Sequence, residues 1–154
     1  MKFVIEHLEQ KLYPWCLLEY THISKIVGKK HLLFTHVSSK QDQLILRKLG
    51  DVDARSVKDL GFSQVCLLDF NAPLLHPSDA STFDTFVFGG ILGQHPPEGR
   101  TTKFLRDQFS CATRSLGEKQ MSTDTAVLVA KTILDGSPFS KLSFIDEPEM
   151  LLKK

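Results

Sequence analysis

The densest signal in this sequence is Phe86-Val87-Phe88-Gly89-Gly90-Ile91-Leu92-Gly93-Gln94-His95-Pro96-Pro97-Glu98-Gly99-Arg100-Thr101. It begins as an apolar run and continues into a loop that carries three glycines in five residues. Glycine allows close approach of the backbone to a ligand, and the two prolines stiffen the exit of the loop. The same composition also suits an ordinary turn between a strand and a helix, and spacing alone leaves both interpretations open. Neither the dinucleotide-binding fingerprint nor a phosphate-binding Gly-Lys-Ser loop is present, which disfavours a nucleoside triphosphate site.

Short apolar runs alternate with amphipathic stretches on both sides of this loop. The runs lie at 3–5, 31–37, 64–69, 85–88 and 111–116. Helices are predicted from Pro14 to Gly28, over 42–49, and from Ser122 or Thr123 to Gly136. A short helix at 101–109 and an edge strand at 142–145 are further candidates, and 71–81 is predicted to be a connection. Such alternation is typical of parallel strands with crossover helices and predicts one α/β domain over residues 1–154.

Apolar stripes indicate which faces of these helices are buried. The first helix is predicted to end at Gly28 in a left-handed cap, and the last to carry Asp124 in its first turn. The positions predicted to be buried are Cys16, Tyr20, Ile23 and Val27 in the first helix, Leu44, Ile45, Leu46 and Leu49 in the second, and Val127, Ala130, Ile133 and Leu134 in the last.

Charge and cysteine content exclude several classes of protein. Nineteen basic and eighteen acidic residues give a net charge of +1, which provides no overall attraction to nucleic acid or anionic lipid. The three cysteines, Cys16, Cys66 and Cys111, are far apart among apolar neighbours, which favours free thiols over a disulfide framework or a zinc site. No apolar run approaches the ~20 residues that span a bilayer, and no signal peptide is recognisable. We expect a cytoplasmic protein with no membrane partner and no metal ion.

Ligands of open parallel sheets bind beyond the carboxyl ends of the strands. The predicted strands end at Glu6-His7, Asp69, Gly89-Gly90 and Leu116-Gly117, and each end carries a glycine or an ionisable residue. The polar loop at 114–126 also leads into a helix N-terminus, whose unpaired amides can hold a carboxylate. By itself this second loop is equally typical of a capped helix.

Together, the two loops resemble the SPOUT class of methyltransferases, in particular a small fungal and archaeal branch. This branch includes enzymes that methylate an arginine of a small-subunit ribosomal protein. The branch pattern is matched at 88–93, 95–97, 100–101 and 116–126, with further matches at 5–7, 18–20, 66–69 and 144–146. The resemblance therefore spans nearly the whole chain. Gln94 stands where the branch usually has aspartate.

This resemblance implies a Rossmann-like, mostly parallel sheet flanked by helices, with a C-terminal trefoil knot that binds S-adenosyl-L-methionine. Backbone groups of the two loops would hold the adenine and the ribose. The cofactor-binding residues implied in this way are Leu68, Asp69, Phe88, Gly89, Gly90, Ile91, Leu92, Gly93, Leu116, Gly117, Lys119, Gln120, Met121 and Thr123.

Methyl transfer from a sulfonium depends mainly on alignment of the acceptor with the methyl group. An arginine acceptor would need carboxylates that orient its guanidinium. Glu6, at a strand end, is the leading candidate, followed by Asp69, Glu19 and Asp146.

Two residues of the glycine-rich stretch are also candidates for the catalytic site. His95 is held extended before Pro96, where it would lie over the methyl group or stiffen the loop. Arg100 would pair with the substrate or cap the loop.

Three functions fit these residues. An arginine of a ribosomal protein is the favoured acceptor, and the near-neutral charge agrees with a protein substrate. Methylation of tRNA or rRNA is the alternative enzyme activity, and a non-catalytic knotted module that binds the cofactor is the third. A monomer is favoured over a homodimer formed through the knot.

Overall fold

Six strands form one parallel sheet in the computed structural model, which describes residues 1–89, 105–106, 109–117, 119 and 121–137. The strands are β1 (Lys2–Glu6), β2 (Leu32–Thr35), β3 (Asp51–Val52), β4 (Val65–Leu68), β5 (Thr85–Gly89) and β6 (Ala112–Arg114). Their order is β3-β2-β1-β5-β4-β6, and every pairing between these described strands is parallel. The predicted α/β class is therefore confirmed, whereas the trefoil knot stays a prediction.

Apolar side chains cover both faces of the sheet, because successive residues of a strand point to opposite sides. Phe3 and Ile5 of β1 pack with the helices α1 and α4 in one core cluster, where α1 is Pro14–Val27 and α4 is Thr123–Leu134. Val4 of the same strand packs on the opposite face, in a second cluster that includes Leu105. Strands buried on both faces explain why these segments are continuous apolar runs rather than alternating ones.

Helix α1 follows the predicted pattern, with Pro14 at its start and Cys16, Tyr20, Ile23 and Val27 buried. The predicted left-handed cap is wrong in one respect. Gly28 does take a positive φ of 88°, but its ψ of 142° lies outside the left-handed helical region. This backbone conformation is almost exclusive to glycine. It changes the direction of the chain at Gly28, which ends the helix.

Helix α4 begins at Thr123 and buries all four predicted residues, Val127, Ala130, Ile133 and Leu134. It packs against α1 on the same face of the sheet. None of the helices in the described part of the chain has the length and apolar character needed to cross a membrane.

Helix α2 (Lys40–Leu46) begins and ends earlier than predicted. Ser39 starts it, because its hydroxyl accepts a hydrogen bond from the Asp42 amide at 3.3 Å. In this short helix Leu46 is buried while Leu44 is 65% exposed, so the prediction that Leu44 packs in the core is wrong. The connection predicted at 71–81 contains the start of a short helix, α3 (Asp79–Thr82). Most of the helix predicted at 101–109, and all of the strand predicted at 142–145, lie outside the described residues.

The three cysteines are free thiols, as predicted. Burial raises the pKa of Cys16 to about 11 and that of Cys66 to about 12, whereas Cys111 is only half-buried. Because the thiolate is the reactive form, iodoacetamide at pH 8 is expected to label Cys111 first and to spare Cys66 until the protein is unfolded in urea. Mass spectrometry of tryptic peptides gives the three rates. Equal labelling of Cys66 and Cys111 in the native protein would contradict this burial.

Candidate functional site

A cavity opens beyond the carboxyl ends of β4 and β6, next to the start of α4. The described residues that line it are Leu68, Asp69, Phe70, Leu116, Gly117, Lys119, Met121 and Ala126. Six of these belong to the set predicted from sequence, namely Leu68, Asp69, Leu116, Gly117, Lys119 and Met121. Residues of the loop after β4 and of the polar loop before α4 therefore border a cavity where a parallel sheet normally binds its ligand.

The lining of the cavity suits an S-adenosyl ligand. Leu68, Leu116 and Met121 are buried apolar side chains that would contact a flat heteroaromatic ring. Asp69 and Lys119 add charged groups to the same wall. Gly117 takes a φ of 88°, which favours glycine. Because glycine has no side chain, the backbone at this position is open to a ligand.

Backbone hydrogen bonds connect the loop after β4 to the strand and loop of β6. The Asp69 amide donates to the Arg114 carbonyl at 3.0 Å, and the Ser115 amide donates to the Pro73 carbonyl at 2.7 Å. The Leu75 amide in turn donates to the Ser115 carbonyl at 2.9 Å. Main-chain hydrogen bonds thus tie the loop after β4 to β6 and to the residue that follows it.

Arg106 is a residue of this region that the sequence did not predict. Its Nη1 donates to the Phe70 carbonyl at 2.8 Å and lies 3.8 Å from Oδ2 of the buried Asp69. Its Nη2 lies 3.2 Å from the Asn71 carbonyl and 3.3 Å from Oγ1 of Thr113. Arg106 therefore holds the loop after β4 against β6 from a position just beyond the glycine-rich stretch. Two of its four partners are backbone carbonyls, which leave no residue-type signal in a sequence.

Glu6 lies at the predicted carboxyl end of β1, in register with Gly89 of β5. Its side chain is buried and accepts three hydrogen bonds from the protein itself. Oε1 accepts from the Thr35 hydroxyl at 2.5 Å and from the Val57 amide at 2.9 Å, while Oε2 accepts from the Ser56 hydroxyl. The residue is 2% exposed and three of the roughly four acceptor positions of its carboxylate are taken, so it offers little access to a substrate guanidinium.

His7 follows Glu6 and is also buried. Its Nδ1 lies 2.8 Å from the Tyr20 hydroxyl, and its carbonyl accepts from Nδ1 of His36 at 2.8 Å. Burial lowers the pKa of His7, so its imidazole is neutral at pH 7. The end of β1 therefore carries one carboxylate and one neutral imidazole, both tied to neighbouring elements.

The first turn of α4 forms a polar cluster with α1. The Thr123 amide donates to Oε1 of Glu19 at 3.0 Å, and Nδ1 of His22 lies 3.0 Å from Oδ2 of Asp124. The Ser122 hydroxyl donates to Oδ1 of Asp124 at 2.6 Å. Burial and the nearby Asp124 carboxylate raise the pKa of Glu19.

The other predicted site residues divide into two groups. Phe88, Gly89 and Thr123 lie at the carboxyl edge of the sheet but are not among the lining residues of the cavity. Those that lie outside the described residues are Gly90, Ile91, Leu92, Gly93, Gln120, His95, Arg100 and Asp146. Within the described part of the chain, no group of three His, Cys, Asp or Glu side chains is arranged to hold a metal ion.

The sheet has the fold of the SPOUT methyltransferases. A solved structure of Trm10 from Thermococcus kodakaraensis is similar to it with a TM-score of 0.69 at 13% identity, covering 92% of this chain and 96% of that one. At this level of identity the likeness establishes the fold alone.

Within this class, the chain belongs to the family of SFM1-like protein arginine N-methyltransferases, whose family model matches residues 2–154. Protein arginine N-methyltransferase SFM1 of Saccharomyces cerevisiae is 39% identical over 173 aligned positions, which cover 100% of this chain and 81% of that protein. The crystal structure of the yeast enzyme complexed with SAM has a TM-score of 0.81 at 35% identity, covering 91% of this chain and 70% of that one. The resemblance seen in the two loops is thereby confirmed.

Proposed function

We propose that this protein transfers a methyl group from S-adenosyl-L-methionine to an arginine side chain of a protein substrate. The single observation that carries the proposal is the cavity at the carboxyl edge of the sheet, which the predicted residues line. Membership of the SFM1-like family and the solved complexes of yeast SFM1 with SAM, SAH and MTA support the same cofactor.

For cofactor binding, we propose that Leu68, Leu116 and Met121 pack against the adenine, and that the backbone at Gly117 approaches it closely. Asp69 is suited to accept hydrogen bonds from a ribose, since carboxylates accept and do not donate when ionised. When bound, the cofactor supplies a methyl group that its sulfonium has already activated. We also propose that residues 89–93, Gln120 and Thr123 contribute to cofactor binding, as the resemblance implies.

On the acceptor side, the chain has to orient a guanidinium and accept the proton that the methylated nitrogen releases. Because both oxygens of Glu6 are engaged by Thr35, Ser56 and Val57, we propose that Glu6 positions the carboxyl edge of β1 and does not contact the substrate. His95 and Arg100 remain the candidates for direct contact with the acceptor or the methyl group.

The favoured acceptor is an arginine of a ribosomal protein. The near-neutral net charge of +1 supports a protein over an RNA, since RNA-modifying enzymes commonly present a basic surface. RNA methylation is the second candidate. We further propose that the protein acts as a monomer in the cytoplasm, where its three free thiols would stay reduced.

Transfer of radiolabelled methyl groups to unmethylated ribosomes tests the acceptor. We expect label that protease removes and ribonuclease leaves, and that amino-acid analysis identifies as methylarginine. Label that resists protease and is lost with ribonuclease would assign the enzyme to RNA. Calorimetry with S-adenosylmethionine is the companion measurement, and absence of micromolar binding would favour a non-catalytic module.

A further inference from the structure

Helix α4 begins without the capping hydrogen bond that a serine usually provides at this position. Ser122 precedes the first helical residue, yet its side chain makes no capping bond. Its hydroxyl is instead directed to Asp124 at 2.6 Å and to Oγ1 of Thr125 at 2.9 Å. The Thr123 amide is the first of the helix and has no partner within it, so it requires an acceptor from elsewhere in the fold.

Glu19 provides that acceptor from α1. Its Oε1 lies 3.0 Å from the Thr123 nitrogen, across 104 residues of sequence. A carboxylate at a helix N-terminus is stabilised both by the amide and by the partial positive charge of the helix end. Here the carboxylate belongs to a neighbouring helix, so the bond fixes where α4 begins relative to α1.

The start of α4 forms part of the cavity wall. Met121 lies two residues before Thr123, and Ala126 lies three residues after it, and both line the cavity. Both side chains are buried and belong to the core cluster that contains α1 and α4. A shift of the first turn of α4 would therefore move the wall against which the cofactor packs.

The surroundings of Glu19 destabilise an ionised carboxylate. Glu19 is half-buried, and the Asp124 carboxylate repels it. Nδ1 of His22 lies 3.0 Å from Oδ2 of the same Asp124. Ionisable groups with shifted pKa values are frequent at functional sites, so a carboxylate retained beside Asp124 is expected to make a functional contact.

We propose that Glu19 is a positioning residue for cofactor binding, which sets the cavity wall at Met121 and Ala126 by accepting a hydrogen bond from the Thr123 amide. The inference rests on the proposed function, since it requires the cavity to bind S-adenosylmethionine. It gives Glu19 a role different from the one that sequence suggested, which was contact with the acceptor guanidinium.

The test compares four proteins by calorimetry with S-adenosylhomocysteine and by thermal unfolding. They are the wild type, Glu19→Ala, Glu19→Gln and the control Asp135→Ala, which removes the contact of 2.6 Å with Lys131 at the other end of α4. We expect the cofactor Kd to rise about ten-fold in Glu19→Ala, since a helix-capping acceptor is lost. Glu19→Gln retains an oxygen that accepts the same bond and should stay within about three-fold of the wild type. Asp135→Ala should bind as the wild type does.

Kinetics separate positioning from catalysis. At saturating cofactor, Glu19→Ala should approach the wild-type kcat, with the loss confined to the KM for the cofactor. Wild-type affinity in Glu19→Ala, or a glutamine variant as weak as the alanine one, would overturn the inference while leaving the proposed function intact. A wild-type protein that does not bind the ligand would overturn the proposed function, and the inference with it. If Glu19→Ala does not fold, Glu19→Asp replaces it with the same expectation, because the shorter side chain withdraws the carboxylate from Thr123.

Discussion

Replacement of Glu6 by alanine is expected to lower the free energy of unfolding by about 3–4 kcal/mol, the largest single effect on stability that we predict. The substitution leaves the Thr35 hydroxyl, the Ser56 hydroxyl and the Val57 amide without the acceptor they share in the buried edge of the sheet. A buried donor that loses its partner costs more than the hydrogen bond contributed, because its desolvation is no longer compensated. Urea unfolding followed by circular dichroism gives the difference.

Glu6→Gln is the matched variant. Its amide oxygen can accept from Val57 and Thr35, and its amide nitrogen can donate to Ser56 once that hydroxyl rotates. We expect a loss of about 1 kcal/mol and a kcat within a few-fold of the wild type, because the position of β1 is retained. A kcat reduced more than a hundred-fold with unchanged cofactor affinity would show that the Glu6 carboxylate acts on the substrate directly. Fully normal turnover of this variant would remove the Glu6 charge from the mechanism.

Replacement of Gly117 by valine is expected to weaken S-adenosylmethionine binding by about two orders of magnitude. Gly117 lines the cavity and has a φ of 88°, which a β-branched residue adopts only with strain. Relief of that strain would rotate the loop between β6 and α4, and the new side chain would occupy space beside the cavity. Calorimetry measures the change in Kd.

Gly61→Val is the control for backbone strain alone. Gly61 has a similar φ of 74°, and a Cβ there meets nothing within 4 Å. It lies near the amino end of β1, beside Met1 and Lys2, and not among the lining residues of the cavity. The two variants should lose similar stability, while only Gly117→Val should lose affinity. Equal affinities in the two variants would contradict the placement of the cofactor beside Gly117.

The sequence predicted five of the six described strands and the two long helices, because strands buried on both faces leave continuous apolar runs and helices buried on one face leave an apolar stripe. One example is the stripe of Cys16, Tyr20, Ile23 and Val27. Another is the apolar run of β4, which ends at Leu68, one residue before the predicted end at Asp69. Leu44 was predicted to be buried, but α2 buries only Leu46. In a helix this short, the apolar residues are too few to indicate which side faces the core. For the candidate site, the predicted strand ends could be used without coordinates, since the carboxyl ends of parallel strands share one edge.

Contacts between side chains and distant backbone could not be predicted in this way. Arg106 binds the carbonyls of Phe70 and Asn71, and Glu19 binds the amide of Thr123. Every residue carries a carbonyl and nearly every residue an amide, so no residue type at the partner position reveals such a bond. Sequence therefore identified Glu19 only as a carboxylate available for chemistry, while the fold uses it to hold a helix.

The central position of β1 in the sheet has a consequence for how the chain folds. Its partner on one side, β2, follows after about thirty residues, but β5 on the other side pairs Thr85 with Lys2. The unit formed by β1, β2 and β3 can assemble while the rest of the chain is still being synthesised. For the other half of the sheet, the chain has to close a loop of more than eighty residues before β5 can pair with the exposed edge of β1. Contact order of this kind slows folding, and the unpaired edge of β1 is the surface most prone to aggregation until β5 arrives.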